Sequence, residues 1–173
     1  FMKIIEANKL MPDEIEKVLV LVNPHGGGQP MARNRNITHH VAASFSLSYT
    51  FAVAAHRIKI GIDWQTEETL RDPRVLNFMN KIEHGPHPAY ASLPEGTRVW
   101  TSISSVEVTA RGKTFKEENL VLPPLMTDEE LLAKFKNNAS TRMSLDKVDK
   151  AARDIMALEN VKNVRSVMDN LVP

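Results

Sequence analysis

At 173 residues and 42% hydrophobic composition, the chain has enough apolar mass for a sizeable core, and 22 Lys and Arg against 21 Asp and Glu leave a net charge of only +1. Without a long run of like charge there is no face for nucleic acid, and without cysteine there is no disulfide framework, thiolate metal site or cysteine nucleophile, which fits a cytoplasmic setting. No apolar run approaches the roughly 18 to 20 residues of a membrane span, and Phe1-Met2-Lys3-Ile4-Ile5 lacks the long apolar stretch of a signal peptide, so no membrane partner is expected.

In chain order, Met2, Ile5 and Leu10 recur at helical spacing, and Met11-Pro12-Asp13 ends that helix. Glu16 to Val22 is rich in β-branched and aliphatic residues and reads as a strand stopped by Asn23-Pro24. His25 to His40, with Gly26-Gly27-Gly28, Pro30, Arg33 and Arg35, has neither periodicity and reads as a long loop. From Ser46 a buried helix runs through Leu47, Phe51 and Val53 to Ala55, with Ser44, Ser46 or Ser48 available as its cap. Asp72-Pro73 caps and opens a further helix through Val75, Phe78, Met79 and Ile82, which Gly85-Pro86-His87-Pro88 ends. Arg98 to Thr109 mostly alternates and is joined by Arg111-Gly112-Lys113 to Thr114 to Val121, predicting an antiparallel hairpin closed by Pro123-Pro124. Thr127-Asp128-Glu129-Glu130 predicts a capping box ahead of a helix that buries Leu131, Leu132 and Phe135. Two more amphipathic helices follow, near Leu145 to Leu158 and Val161 to Asn170.

Three segments carry a likeness that periodicity alone does not. Ala43 to Ala52, reading Ala-Ser-Phe-Ser-Leu-Ser-Tyr-Thr-Phe-Ala, is followed by Arg71-Asp72-Pro73-Arg74-Val75 and later by Leu125-Met126-Thr127-Asp128-Glu129-Glu130-Leu131-Leu132-Ala133-Lys134-Phe135. In that order they resemble the smaller, carboxyl-terminal domain of the MmgE/PrpD family, which includes 2-methylcitrate dehydratase, cis-aconitate decarboxylase and iminodisuccinate epimerase. The resemblance covers most of the chain. It implies a lid over a large helical domain that would precede Phe1, and an opening phenylalanine before methionine is read as the start of a fragment or processed product. It further implies no cofactor and no metal, a di- or tricarboxylate as small-molecule partner, the helical domain or subunit as protein partner, and a homo-oligomer, expected to be a dimer.

The same resemblance places Tyr49 at the mouth of the substrate site, as a catalytic residue. A phenol there can bond a carboxylate, or move a proton if neighbouring cations lower its pKa. The other reading of Tyr49 is a half-buried helix residue whose hydroxyl finds a backbone partner. Arg33 and Arg35, with Ser46, are the expected substrate-binding residues, since guanidinium offers a planar fork to carboxylate and the glycines let backbone amides turn toward an anion. The alternative is a mobile surface loop with solvated arginines. His39-His40 are adjacent and so poorly placed to converge on one ion, and His56, His84 and His87 are assigned to helix or turn surfaces. Where the family often has a lysine or arginine before phenylalanine-serine, this chain has Ser44, which removes one possible carboxylate anchor. Asp72, Arg74, Lys134 and Phe135 are assigned to capping and packing.

The expected architecture is α+β: a small antiparallel or mixed sheet covered by helices, with residues 1–140 as the lid domain and 141–173 as a helical extension packing on it. The expected function is the lid of a 2-methylcitrate dehydratase-like lyase, inactive without its helical domain. The alternative is a non-catalytic α+β binding module. A lid without its partner is expected to expose an apolar patch around Phe45, Tyr49 and Phe51.

Overall fold

A computed structural model describes residues 1–24, 30–94, 103–119 and 125–171, which fall into two compact units, 1–123 and 124–173. The first unit is α+β. Helix α1 (Met2–Ala7) leads to strand β1 (Ile15–Val22); short helices α2 (His40–Phe45), α3 (Leu47–Ala55), α4 (Glu67–Leu70) and α5 (Pro73–Phe78) precede β2 (Ile82–Pro86); and β3 (Ser104–Ala110) and β4 (Lys113–Asn119) complete a four-stranded sheet in the order β2-β1-β3-β4. The sheet is mixed. β1 runs parallel to β2 and antiparallel to β3, which forms a hairpin with β4.

Alternation along the strands decides which side chains form the core. Val18 and Val20 of β1, Ile82 of β2 and Val108 of β3 lie on one face, in register, and are buried with Ile4, Ile5, Tyr49, Val53, Val75 and Phe78 from the helices. α3 packs against β2 and α5. Its Ala52, Val53, Ala54 and Ala55 are all buried, and such small side chains let a helix come close to a sheet.

The hairpin expected from Arg111-Gly112 is present. Both residues have positive φ, 53° and 68°, as a two-residue turn matched to strand twist requires, and glycine takes that conformation without strain. The Arg111 guanidinium then reaches back to both carboxylate oxygens of Glu14, at 2.8 and 2.7 Å, tying the turn to the segment before β1. Residues 98–102 of the first predicted strand, the predicted turn residues just before them, Leu120 to Pro124, and Gly26-Gly27-Gly28 of the predicted loop lie outside the described residues.

Two elements differ from the sequence reading. The helix opened by Asp72-Pro73 ends at Phe78; Met79–Lys81 form a single 3-10 turn, and Ile82 begins β2. Ile82 is still buried, but pairing with Val18 of β1 overrides the helical spacing that led to it. The reading also missed α2 inside the long loop. Of its residues only Ala43 is fully buried, so no apolar stripe announced it.

The second unit comprises α6 (Asp128–Ala139), α7 (Leu145–Met156) and α8 (Val164–Asn170). Thr127 accepts from the Glu130 amide at 3.2 Å while Glu130 accepts from the Thr127 amide at 2.8 Å, the capping box expected from sequence. α7 packs on both neighbours, burying Val148, Ala151 and Ala152, with Val167 of α8 also buried. Within α6, Leu132 and Phe135 are half-buried, but Leu131 is 49% exposed, so the expected buried side is narrower than sequence suggested.

Candidate functional site

The segment entering α3 brings the candidate residues together. At residues 30–36 a turn is closed by Arg33 N–H to Pro30 O at 3.2 Å and Asn34 N–H to Met31 O at 3.2 Å, and Asn34 Oδ1 accepts from Asn36 N–H at 2.9 Å. Three further bonds hold the turn to its surroundings. Leu47 N–H donates to Ala32 O at 2.9 Å, Ser46 Oγ donates to Asn34 O at 2.6 Å, and the Arg35 guanidinium donates to the carbonyl of Ile82 in β2. Arg33 and Arg35 therefore stand on a pinned turn, although their side chains reach the surface.

Between that turn and α3 lies His84. It occupies the β2 position opposite Val20, on the face shared with Ile82, and its Nε2 is 3.4 Å from Ser48 Oγ in the first turn of α3. The imidazole is half-buried and Ser48 is fully buried. Burial first, then the positive charges of Arg35 and Arg33, hold the His84 pKa below the ordinary histidine value, which makes the ring neutral at neutral pH. Among the described residues, neither Arg33 nor Arg35 is ion-paired with a carboxylate. The cluster is an accessible positive site beside the N-terminal end of α3, whose backbone dipole adds to the field. Chemically it can hold an anion.

Sequence reasoning missed His84 because it assigned the residue to the end of a helix. Its register beside Val20 becomes visible only once β2 is recognised as a parallel partner of β1. His87 was also assigned to a surface, but it is 3% exposed. Its Nδ1 accepts from the Ala89 amide at 3.2 Å, and Nε2 lies 3.0 Å from Glu118 Oε1 in β4. It caps the turn after β2 and ties that turn to the far strand.

The other two expected site residues have their polar atoms engaged within the domain. Ser46 is fully buried; besides its bond to Asn34, its Oγ accepts from the Tyr49 amide at 3.1 Å, which makes it the cap of α3. It acts on the site by fixing the turn that carries the arginines. Tyr49 is 2% exposed and sits in the core, its hydroxyl donating to the Trp64 carbonyl at 2.5 Å. Burial, and after it the Asp72 carboxylate, push its phenol up to about 12, the opposite of what a base at neutral pH requires. This geometry matches the reading of Tyr49 as a packed helix residue with a backbone partner. The expected apolar patch is likewise reduced and shifted: Phe45 is 56% exposed with Val41 beside it on α2, whereas Tyr49 is buried and Phe51 packs on Phe1.

Asp72 caps α5, its Oδ1 accepting from the Arg74 amide at 2.8 Å while both oxygens take bonds from the Arg74 guanidinium. Those guanidinium bonds, helped by the amide, hold its carboxyl below the ordinary range. Asp72→Ala is expected to cost about 1 kcal/mol in denaturant unfolding at neutral pH. Because the folded pKa is the lower one, this contribution is complete above the unfolded carboxyl value and disappears as pH falls through the folded value. The two proteins should therefore converge in acid; a constant difference down to about pH 2 would show that the ionised carboxylate is not the cap.

Among the described residues no helix is long and apolar enough to cross a membrane. Comparison with curated proteins finds no match to the chain. Residues 1–160 match the family model of the MmgE/PrpD C-terminal domain, more than half of the chain. With an α+β architecture as expected from the sequence likeness, the chain belongs to the MmgE/PrpD family and carries its C-terminal domain.

Proposed function

We propose that this chain is the lid of a cofactor-independent lyase acting on di- or tricarboxylic acids, similar to 2-methylcitrate dehydratase, and that Arg33 and Arg35 hold a substrate carboxylate. The observation that carries the reading is the pinned turn, which presents two guanidinium groups with no carboxylate among the described residues to neutralise them. In such a reaction a base takes a proton from the carbon beside a carboxylate, and cationic donors stabilise the enolate-like charge. The lid's part is to orient the carboxylate and exclude water, while a helical domain brings the acid and base. Ser46 contributes by holding the turn, and Tyr49 by holding α3 in place with its phenol protonated. The reading carries with it a helical partner domain, a homodimer and a cytoplasmic setting.

Binding of malate to the chain, measured by calorimetry at about pH 8, tests the assignment. Arg33→Gln combined with Arg35→Gln is expected to weaken it at least about tenfold, the loss of two charge-assisted contacts. Equal affinity in the wild type and the double variant would overturn the role of the arginines. An assay of the protein joined to its helical domain, with 2-methylcitrate and cis-aconitate as substrates, tests the lyase reading itself.

A further inference from the structure

We infer that His84 is a third ligand of this carboxylate site, one that takes up a proton when the anion binds, so that affinity at the site rises as pH falls. The inference rests on the reading of Arg33 and Arg35 as carboxylate holders and adds a residue and a direction to it. His84 has the required position. It lies on β2 two residues beyond Ile82, whose carbonyl anchors Arg35, and faces Ser48 at the start of α3. Among the described residues, the uncharged hydroxyl of Ser48 from α3 and the aliphatic Val20 across the strand pair lie beside it, and the charges that act on it are those of Arg35 and Arg33 from the turn before α2. Its neighbour Glu83 falls on the opposite face by strand alternation and pairs with Lys17 of β1 at 2.7 Å, so it does not neutralise the cluster.

Without a ligand, two positive neighbours and partial burial oppose a third positive charge. A bound carboxylate removes that opposition and rewards the imidazolium, which has a second N–H to donate. Nε2 is directed at Ser48, and among the described residues Nδ1 has no hydrogen-bond partner, so it is the nitrogen available to the ligand. The free-state pKa lies below the bound-state value, so the bound protein holds more protons between the two, and lowering the pH through that window strengthens binding.

The test is calorimetric titration of the full 173-residue chain with malate, which is fully ionised near neutrality, in two buffers of different ionisation enthalpy. The difference in observed heat gives the protons taken up per ligand. An uptake on the order of half a proton at about pH 7 is expected, with affinity increasing roughly threefold to tenfold between pH 8 and pH 6. His84→Gln should abolish the uptake and flatten the pH dependence. The same uptake in His84→Gln as in wild type would overturn the inference and leave the carboxylate reading intact. If the double arginine variant binds malate as well as wild type does, the parent reading falls as well. Should His84→Gln fail to fold, the imidazole proton resonance of His84 in the wild-type chain replaces it: a titration midpoint that rises on saturation with malate supports the proposal, and an unmoved midpoint overturns it.

Discussion

Tyr49→Ala is expected to destabilise the domain by about 3–5 kcal/mol, the range for removing a fully buried aromatic side chain without collapse of its surroundings. Tyr49 lies where α3 meets the rest of the core, and its hydroxyl satisfies the carbonyl of Trp64, so truncation leaves both a cavity and a carbonyl without its donor. Tyr49→Phe separates the two losses. It keeps the ring and should cost only about 1–2 kcal/mol. The pH dependence identifies the hydroxyl as the source. With the folded phenol pushed up to about 12 from an ordinary 10.0, the folded chain keeps a proton that the unfolded chain releases. The resulting stability is complete below the unfolded value and is lost as pH rises through the folded one, a change on the order of 2–3 kcal/mol. Denaturant midpoints of wild type and Tyr49→Phe should therefore draw together, and then cross, as pH rises from about 10 to 12. A gap that stays constant over that range would mean that the phenol is not held by its surroundings.

Ile82→Ala is expected to cost about 2–5 kcal/mol, because Ile82 is fully buried between β1 and the covering helices. This position links the core to the site. The side chain packs, while the carbonyl of the same residue receives Arg35, and substitution removes only the former. Folded Ile82→Ala, kept below its lowered melting temperature, should therefore bind malate within about threefold of wild type despite the stability loss, since the substitution leaves in place the backbone carbonyl that receives Arg35. Differential scanning calorimetry with a malate titration checks both parts. A destabilisation below about 1 kcal/mol would contradict the burial of Ile82, and a collapse of affinity in the folded variant would show that the side chain itself shapes the anion site.

Elements announced by local chemistry were legible in the sequence. Thr127 and Glu130 cap each other, Asp72-Pro73 opens a helix, one of the serines before α3, Ser46, caps it, and Arg111-Gly112 turns a hairpin, each through groups only a few residues apart. What remained hidden depends on partners far along the chain. β2 exists as a strand because β1, more than sixty residues earlier by register, offers it hydrogen bonds. A run containing Ile82, Gly85 and Pro86 carries little strand signal of its own. The site follows the same division. Arg33 and Arg35 could be suspected from residue type, but His84 joins them only through the parallel pairing, and the occupation of the Ser46 and Tyr49 hydroxyls is set by Asn34 and Trp64 across the fold.

The two outer strands have a consequence for how this domain associates. A sheet with open sides presents unpaired amides and carbonyls, which invite addition of further strands from other molecules. Here one side is closed by β4, whose Lys113, Lys116, Glu117 and Glu118 are exposed charges, and the other by β2, only five residues long and ending in Gly85-Pro86. Burying those charges against a further strand costs desolvation on the first side, and proline, which lacks an amide hydrogen, interrupts pairing on the second. Among the described residues, both outer strands therefore carry features that disfavour edge-to-edge addition of further strands.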